Sequence, residues 1–127
     1  AFTARLAARV RPGGFLLATV PAFPSLWDEH DERNHHQRRY RRAGLEALLA
    51  PHGARVKVRH LFPSLFVAKW LVARANRRAA APIDQTALPG PALTRAVAAL
   101  LRAEDRVLGP LRLPFGSSLL AVVRVSG

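Results

Sequence analysis

Histidine and carboxylate side chains occur together in one polar segment of this 127-residue chain, residues 25–42. A neutral histidine titrates near physiological pH, and it can take a proton from a substrate when a carboxylate orients its ring. His30 and His36 are the candidate general bases, and Asp31 is placed to orient either of them. Histidine also forms purely structural hydrogen bonds in loops, and the sequence leaves both interpretations open.

The same segment contains side chains of the types that bind zinc or iron. Their spacing matches no familiar metal-binding signature, and a loop alone does not hold ligands in a fixed geometry. A charge-paired surface loop is therefore the favoured interpretation, and no metal is predicted. The side chains concerned are Asp28, Glu29, His30, Asp31, His35 and His36.

Arg38, Arg39 and Tyr40 follow these histidines closely. A guanidinium group binds a carboxylate or phosphate through two parallel hydrogen bonds, so either arginine can hold an anionic substrate. Alternatively, one of them pairs with an acidic residue of the segment and fixes the loop. Trp27 is a further candidate for substrate contact, or it is a packing residue.

Several familiar catalytic patterns are missing from the chain. No glycine-rich phosphate loop of the GxGxxG or GxxxxGK type occurs. Ser117 and Ser118 do not form a nucleophile elbow, because no glycine stands two residues after either serine. The absence of cysteine excludes disulfides, thiolate metal sites and thiol nucleophiles.

Alternating strands and helices are predicted to position the polar segment. An apolar run at 15–20 predicts a strand buried on both faces, and alternation at 55–61 predicts a half-exposed strand. A third strand is predicted at 117–125. Residues 2–10 and the leucines at 45–49 predict short helices. This order indicates an α/β sheet, of which three strands form one edge.

Two further helices are predicted in an insertion at 62–110, between the last two strands. The first, at 64–79, has Ser64 as its expected N-cap and is apolar nearly all round. Burial is the favoured interpretation of such a helix. Its basic ends also suit peripheral contact with a membrane or a cover over an apolar substrate. The second helix is amphipathic and ends at Gly109.

The chain is strongly basic, with 20 Lys and Arg against 8 Asp and Glu and a net charge of +12. Such a charge suits a non-enzymatic module that binds nucleic acid or an anionic membrane surface, which is the alternative function. However, the excess is almost all arginine and is spread along a chain rich in Ala, Gly and Pro. Codon composition accounts for much of it, so no nucleic-acid partner is expected.

No membrane span or secretory signal is visible in the sequence. No apolar run reaches the roughly 18 residues that a span needs, and no long apolar stretch precedes a cleavage site near the N-terminus. A cytoplasmic location is therefore expected, with membrane contact limited to the surface of the helix at 64–79.

Taken in order, the segments resemble the C-terminal half of a class I S-adenosylmethionine-dependent methyltransferase of the bacterial ubiquinone-biosynthesis type. The shared order is a Pro-Gly-Gly turn, an apolar strand, Val-Pro-Ala, Leu-Trp, His-Asp, His-x-Arg-Arg-Tyr and a Pro-Phe-Gly-Ser-Ser turn before the last strand. These pieces lie at 12–14, 15–20, 20–22, 26–27, 30–31, 36–40 and 114–118. Where the family often has glycine, this chain has His35.

The resemblance implies strands five, six and seven of a Rossmann-like sheet, with the last strand antiparallel between the other two. It places the loop at 21–40 at the carboxyl ends of strands, where open α/β sheets bind ligands. The implied reaction is methyl transfer from S-adenosylmethionine to a small-molecule or lipid-like acceptor. An N-terminal half, absent from residues 1–127, would hold the cofactor, and the isolated chain is expected to be inactive.

The resemblance also implies roles for the residues of the polar segment. His30 or His36 would deprotonate the acceptor. The expected lining of the acceptor pocket is Trp27, Asp31, Arg38, Arg39 and Tyr40.

Overall fold

The computed structural model describes residues 2–27, 31–32, 35–77 and 90–126. Strands and helices alternate along the first half of the chain, and two consecutive helices precede the last strand. In chain order the main elements are α1 (Phe2–Ala7), β1 (Phe15–Pro21), α2 (Arg42–Leu49), β2 (Gly53–Leu61), α3 (Pro63–Asn76), α4 (Pro91–Leu108) and β3 (Ser118–Val125).

The three strands form one sheet in the order β1-β3-β2, and β3 runs antiparallel to both neighbours. The positions of the three predicted strands are thus confirmed, as is the antiparallel central position expected for the last one. The predicted burial of β1 on both faces is wrong, because Phe15 and Leu17 are exposed on the face that the described helices do not cover. Because both flanking strands pair antiparallel with β3, β1 and β2 run parallel to each other. Their carboxyl ends therefore lie at the same edge of the sheet.

One face of the sheet carries the hydrophobic core. The side chains of Leu119, Ala121 and Val123 alternate along β3 and are almost completely buried. Leu45 and Leu49 of α2 pack onto them from the same side. The apolar leucine spacing that predicted a short helix is therefore confirmed, and it reflects burial against the sheet.

A turn that contains glycine lies at each end of the sheet. The predicted Pro-Gly-Gly turn places Gly13 at a φ of 77°, a left-handed conformation that glycine adopts without strain. Gly14 accepts a hydrogen bond from the N–H of Val125 at 2.9 Å, which ties the turn to β3. At the other end, a Cβ on Gly116 would overlap with the carbonyl oxygen of Leu61. Close backbone approach explains glycine at this position.

The N-terminus of α3 differs from the prediction. The helix begins at Pro63, and Phe62 is the N-cap in a left-handed conformation, whereas Ser64 was expected there. Proline suits the first helical position because it has no N–H to satisfy. Ser64 instead donates its backbone N–H and its hydroxyl to the carboxylate of Glu104 in α4, at 2.7 and 2.6 Å.

The expected burial of α3 is wrong. No residue of this helix is fully buried, and Trp70 keeps 47% of its surface exposed beside Val67 and Leu71. Arg74 lies over the Trp70 ring at 5.6 Å. The helix is held at its first turns, where Phe66 contacts aromatic rings, and the described part of the chain supplies no second layer over the remaining turns.

Substitution of Gly116 by alanine is expected to destabilise the chain by about 1–3 kcal/mol, because the new methyl group is forced against the Leu61 carbonyl. Gly44 is the matched control, since it lies in α2 with open space around its Cβ position. Gly44→Ala should stabilise by about 0.5–1 kcal/mol through helix propensity. Urea unfolding of both variants measures the two changes, and equal stability for Gly116→Ala and the wild type would contradict this packing.

Candidate functional site

The loop after β1 is fastened to the carboxyl end of that strand. Tyr40 donates its N–H to the carbonyl of Pro21 at 2.9 Å, and Phe23 donates to the carbonyl of Tyr40 at 3.0 Å. These bonds form a short parallel bridge between Ala22 and Tyr40. The loop therefore leaves the sheet and returns to the same point, which keeps its side chains at the edge where β1 and β2 end.

Asp31 is the centre of this loop and is fully buried. Its Oδ2 accepts hydrogen bonds from the guanidinium of Arg39, at 2.8 Å from Nε and 2.7 Å from the second terminal nitrogen. Arg39 is also buried, and it donates a further hydrogen bond to the carbonyl of Ala22 at 2.9 Å. Of the two roles that the sequence left open for Arg39, the structure places it in the loop-fixing one.

His36 completes the cluster. Its Nδ1 lies 2.9 Å from Oδ1 of Asp31, and its backbone N–H donates to the Asp31 carbonyl at 2.9 Å. A carboxylate can only accept, so Nδ1 carries a proton in this hydrogen bond, and in the neutral form of the ring Nε2 has the lone pair. The side chain is 36% exposed, and Nε2 contacts no polar group among the described residues. This arrangement suits a general base.

Of the other predicted substrate-contact residues, Arg38 and Trp27 are exposed, whereas Tyr40 is partly buried against the hydrophobic core. Arg38 donates from Nε to the Tyr40 hydroxyl at 2.8 Å and lies over the Tyr40 ring at 4.6 Å. Arg38 makes no ion pair in the described ranges, so its terminal nitrogens can receive an anion. Trp27 ends the short turn Pro24–Leu26 and keeps 41% of its surface exposed, so it is not a core residue.

Part of the predicted cluster lies outside the described residues. His30, Asp28 and Glu29 belong to that part. Of the two candidate general bases, His30 and His36, the structure therefore describes only His36. In residues 2–27, 31–32, 35–77 and 90–126, no group of three His, Asp or Glu side chains is arranged to hold a metal ion.

An aromatic cluster beside the loop was not predicted from the sequence. The Phe23 ring stacks on the His60 ring at 5.4 Å and contacts Phe66 at 5.0 Å, and Phe66 contacts Phe115 at 5.5 Å. These residues come from the loop after β1, the end of β2, α3 and the turn before β3. Phe23 has a φ of 56°, which costs a non-glycine residue energy and directs its ring over His60.

His60 is the titratable member of the aromatic cluster. Burial lowers the pKa of His60 below its ordinary value of 6.5, and the positive charge of Arg42 lowers it further, against the opposing effect of a backbone hydrogen bond with Leu113. Its Nδ1 is buried without a hydrogen-bond partner among the described residues. The ring is therefore neutral at pH 7 and joins the apolar surface of the cluster.

S-adenosylmethionine, the cofactor implied by the resemblance, does not fit the residues at this edge of the sheet. A carboxylate must be free to bind its ribose hydroxyls, yet both oxygens of Asp31 already accept hydrogen bonds from His36 and Arg39. The turn after β1 is Ala22-Phe23-Pro24, which has no glycine for a close approach of backbone amides. The described residues therefore do not form a site for this cofactor.

Comparisons with known proteins identify no relative of this chain. No protein-family model, no curated protein and no solved structure matches it. None of the helices in the described ranges has the length and apolar character that a membrane crossing requires.

Substitution of Arg39 by methionine is expected to lower the free energy of unfolding by about 3–5 kcal/mol, because it removes the guanidinium that pairs with the buried Asp31 carboxylate. Arg42→Met is the matched control, since Arg42 pairs with Glu46 on the surface of α2. That variant should lose less than about 1 kcal/mol. Chemical unfolding of both variants is the measurement, and similar losses would show that the buried pair does not hold the loop.

The His60 pKa predicts a loss of stability on acidification. Because the folded chain binds this proton less readily than the unfolded chain, the free energy of unfolding should fall as the pH drops below about 6.5 and level off below the folded pKa. His60→Phe should flatten the curve over this range. Val58→Ala, which weakens the core without removing an ionisable group, should keep the wild-type slope. An unchanged slope in His60→Phe would refute the assignment.

Proposed function

We propose that this chain is the acceptor-binding part of a methyltransferase, in which His36, oriented by Asp31, deprotonates the methyl acceptor. The observation that carries the proposal is the buried Asp31 carboxylate, which fixes His36 with Nε2 as a partly exposed base. Support also comes from the strand order β1-β3-β2, which agrees with the order implied by the resemblance, and from the position of the loop where parallel strands end.

The chemistry of the described residues is a proton transfer. An acceptor hydroxyl beside His36 gives its proton to Nε2 as its oxygen becomes nucleophilic, and Asp31 stabilises the imidazolium that results. Because the His36 ring is partly exposed, the proton then passes to solvent. Arg39 acts through Asp31 as a positioning residue, since it holds the carboxylate in place and does not face the acceptor.

The surroundings of His36 indicate the kind of acceptor. Phe23 of the aromatic cluster follows Ala22 in the sequence, and the Ala22 carbonyl accepts a hydrogen bond from Arg39. The aromatic cluster therefore adjoins the loop that holds Asp31. Arg38 and Trp27 add an exposed cation and an exposed aromatic ring. A hydroxyl on an aromatic or lipid-like molecule with an anionic group matches these three features.

Methyl transfer is tested with the full product of the reading frame that contains this chain, S-adenosylmethionine with a labelled methyl group, and a panel of phenolic and lipid-like alcohols. His36→Gln should lower kcat by about 100-fold or more, because general-base catalysis is lost. Asp31→Asn should also lower kcat, since it changes the tautomer of His36.

His52→Gln is the matched control, because His52 contacts Thr3 and lies outside the loop. It should keep wild-type turnover. The proposal fails if the wild-type protein labels no acceptor, or if His36→Gln and Arg39→Ala both keep wild-type turnover.

A further inference from the structure

The second face of the sheet is covered by the described residues only where the end of α4 and the segment after it approach β2. Its side chains alternate with the buried ones along each strand, so Leu17 of β1 lies across from Val122 of β3, which in turn lies across from Lys57 of β2. Leu17 keeps 64% of its surface exposed. Leu120 is the next residue of β3 on the same face. Leu17, Val122 and Leu120 form an apolar strip.

A row of cations borders this strip along β2. Arg55, Lys57 and Arg59 occupy alternate positions on the open face, and Arg124 of β3 lies across from Arg55. One acidic group from the described chain reaches the row, because Asp105 of α4 accepts a hydrogen bond from Arg59 at 2.9 Å. Lys57 makes no ion pair with any described residue, so the middle of the row carries uncompensated charge.

The face is concave beside the middle of β2, at residues 56–59. The turn Gly109–Leu111 and the following Arg112 stand over it and enclose a cleft of about 540 Å³, which is within the range of about 300–1,000 Å³ typical of ligand sites. Lys57, Arg59 and Arg112 line this cleft together with the apolar Leu120 and Val122. Because β2 is an edge strand, the cleft also extends round it to Val56, Val58 and Arg42. A smaller cleft of about 250 Å³ lies next to it along the sheet, and its lining includes Lys57, Val122 and Phe15.

We propose that this groove, lined by Lys57, Arg59, Arg112, Leu120 and Val122, binds an amphiphile with an anionic head and an apolar tail. The head is held by Lys57 and Arg112, which have no acidic partner among the described residues, and the tail lies on the apolar strip. Charge complementarity and the apolar strip select this ligand class. A second copy of the chain is disfavoured, because two faces that both carry this row of cations repel each other.

The groove is separate from the proposed base. Its lining residues come from β2, β3, the segment after α4 and the first residue of α2, Arg42, and none of them is His36, Asp31 or Arg39. The proposal therefore does not depend on methyl transfer, and either can fail without the other.

Dodecyl phosphate, used below its micelle concentration, is the probe. Titration of the ¹⁵N-labelled chain should shift the amide signals of Lys57, Leu120, Val122 and Arg112 in a saturable way. The Lys57→Gln/Arg112→Gln double variant should bind about tenfold more weakly or worse, since charged hydrogen bonds are lost. Octyl phosphate should bind at least about tenfold more weakly than dodecyl phosphate, because its tail buries less apolar surface.

Arg95→Gln is the matched control, because it removes an exposed cation of α4 that does not line the groove. It should bind dodecyl phosphate as the wild type does. All substituted side chains are exposed, and circular dichroism confirms that the variants fold. Vesicles containing phosphatidylglycerol distinguish a membrane lipid from a free amphiphile. If the vesicles shift the same amide signals as monomeric dodecyl phosphate does, the natural ligand is a membrane lipid.

Three results would overturn the proposal. Neutral dodecyl maltoside could bind as tightly as dodecyl phosphate, which would remove the role of the cations. Inorganic phosphate could bind as tightly, which would remove the role of the tail. A short single-stranded oligonucleotide could bind more tightly than dodecyl phosphate with the same dependence on Lys57 and Arg112, which would make the groove a nucleic-acid surface.

Discussion

The antiparallel pairing of β3 with both of its neighbours is the constraint on which the arrangement of this chain depends. Since β3 lies between β1 and β2, the flanking strands must be parallel and must end at the same edge of the sheet. The loop after β1 and the last residues of β2 therefore meet, although they are about 40 positions apart in the sequence. The stacking of Phe23 on His60 is a direct consequence of this pairing.

The buried ion pair between Asp31 and Arg39 determines the conformation of the loop at that edge. A buried pair of charges adds little net stability, because desolvation of both groups offsets their attraction. Its effect is selective: a loop conformation that separated the two groups would leave an unpaired charge in a dry environment. Arg39 also satisfies the Ala22 carbonyl, so the charge pair fixes the loop to the strand end and presents His36 at a defined place.

The sequence predicted the strands well and the side-chain partnerships less well. Apolar runs and alternation locate β1, β2 and β3 along the chain. The apolar run of β1 did not indicate its buried face, because it predicted burial on both faces and the structure leaves Phe15 and Leu17 exposed. The choice between Arg38 and Arg39 could not be made, because loop residues have no such period and adjacent arginines are chemically alike. The aromatic cluster could not be predicted either, since it joins four segments through tertiary contacts. The predicted N-cap of α3, Ser64, lies two residues after the observed N-cap, Phe62, because Glu104 from another helix accepts the hydrogen bonds of Ser64.

The alternation in β2 has a second consequence that composition alone does not indicate. In Arg-Val-Lys-Val-Arg-His, Val56 and Val58 face the core, so the residues that alternate with them must place their cations side by side on the opposite face. A net charge of +12 spread along a chain suggests no particular surface. In β2, three of those charges, on Arg55, Lys57 and Arg59, form a row on one face of the sheet. Neighbours in this row are two residues apart, which corresponds to roughly 6–7 Å along the strand. Such a row beside an apolar strip gives the face both charge and hydrophobic contact, and this combination distinguishes a binding groove from a generally basic surface.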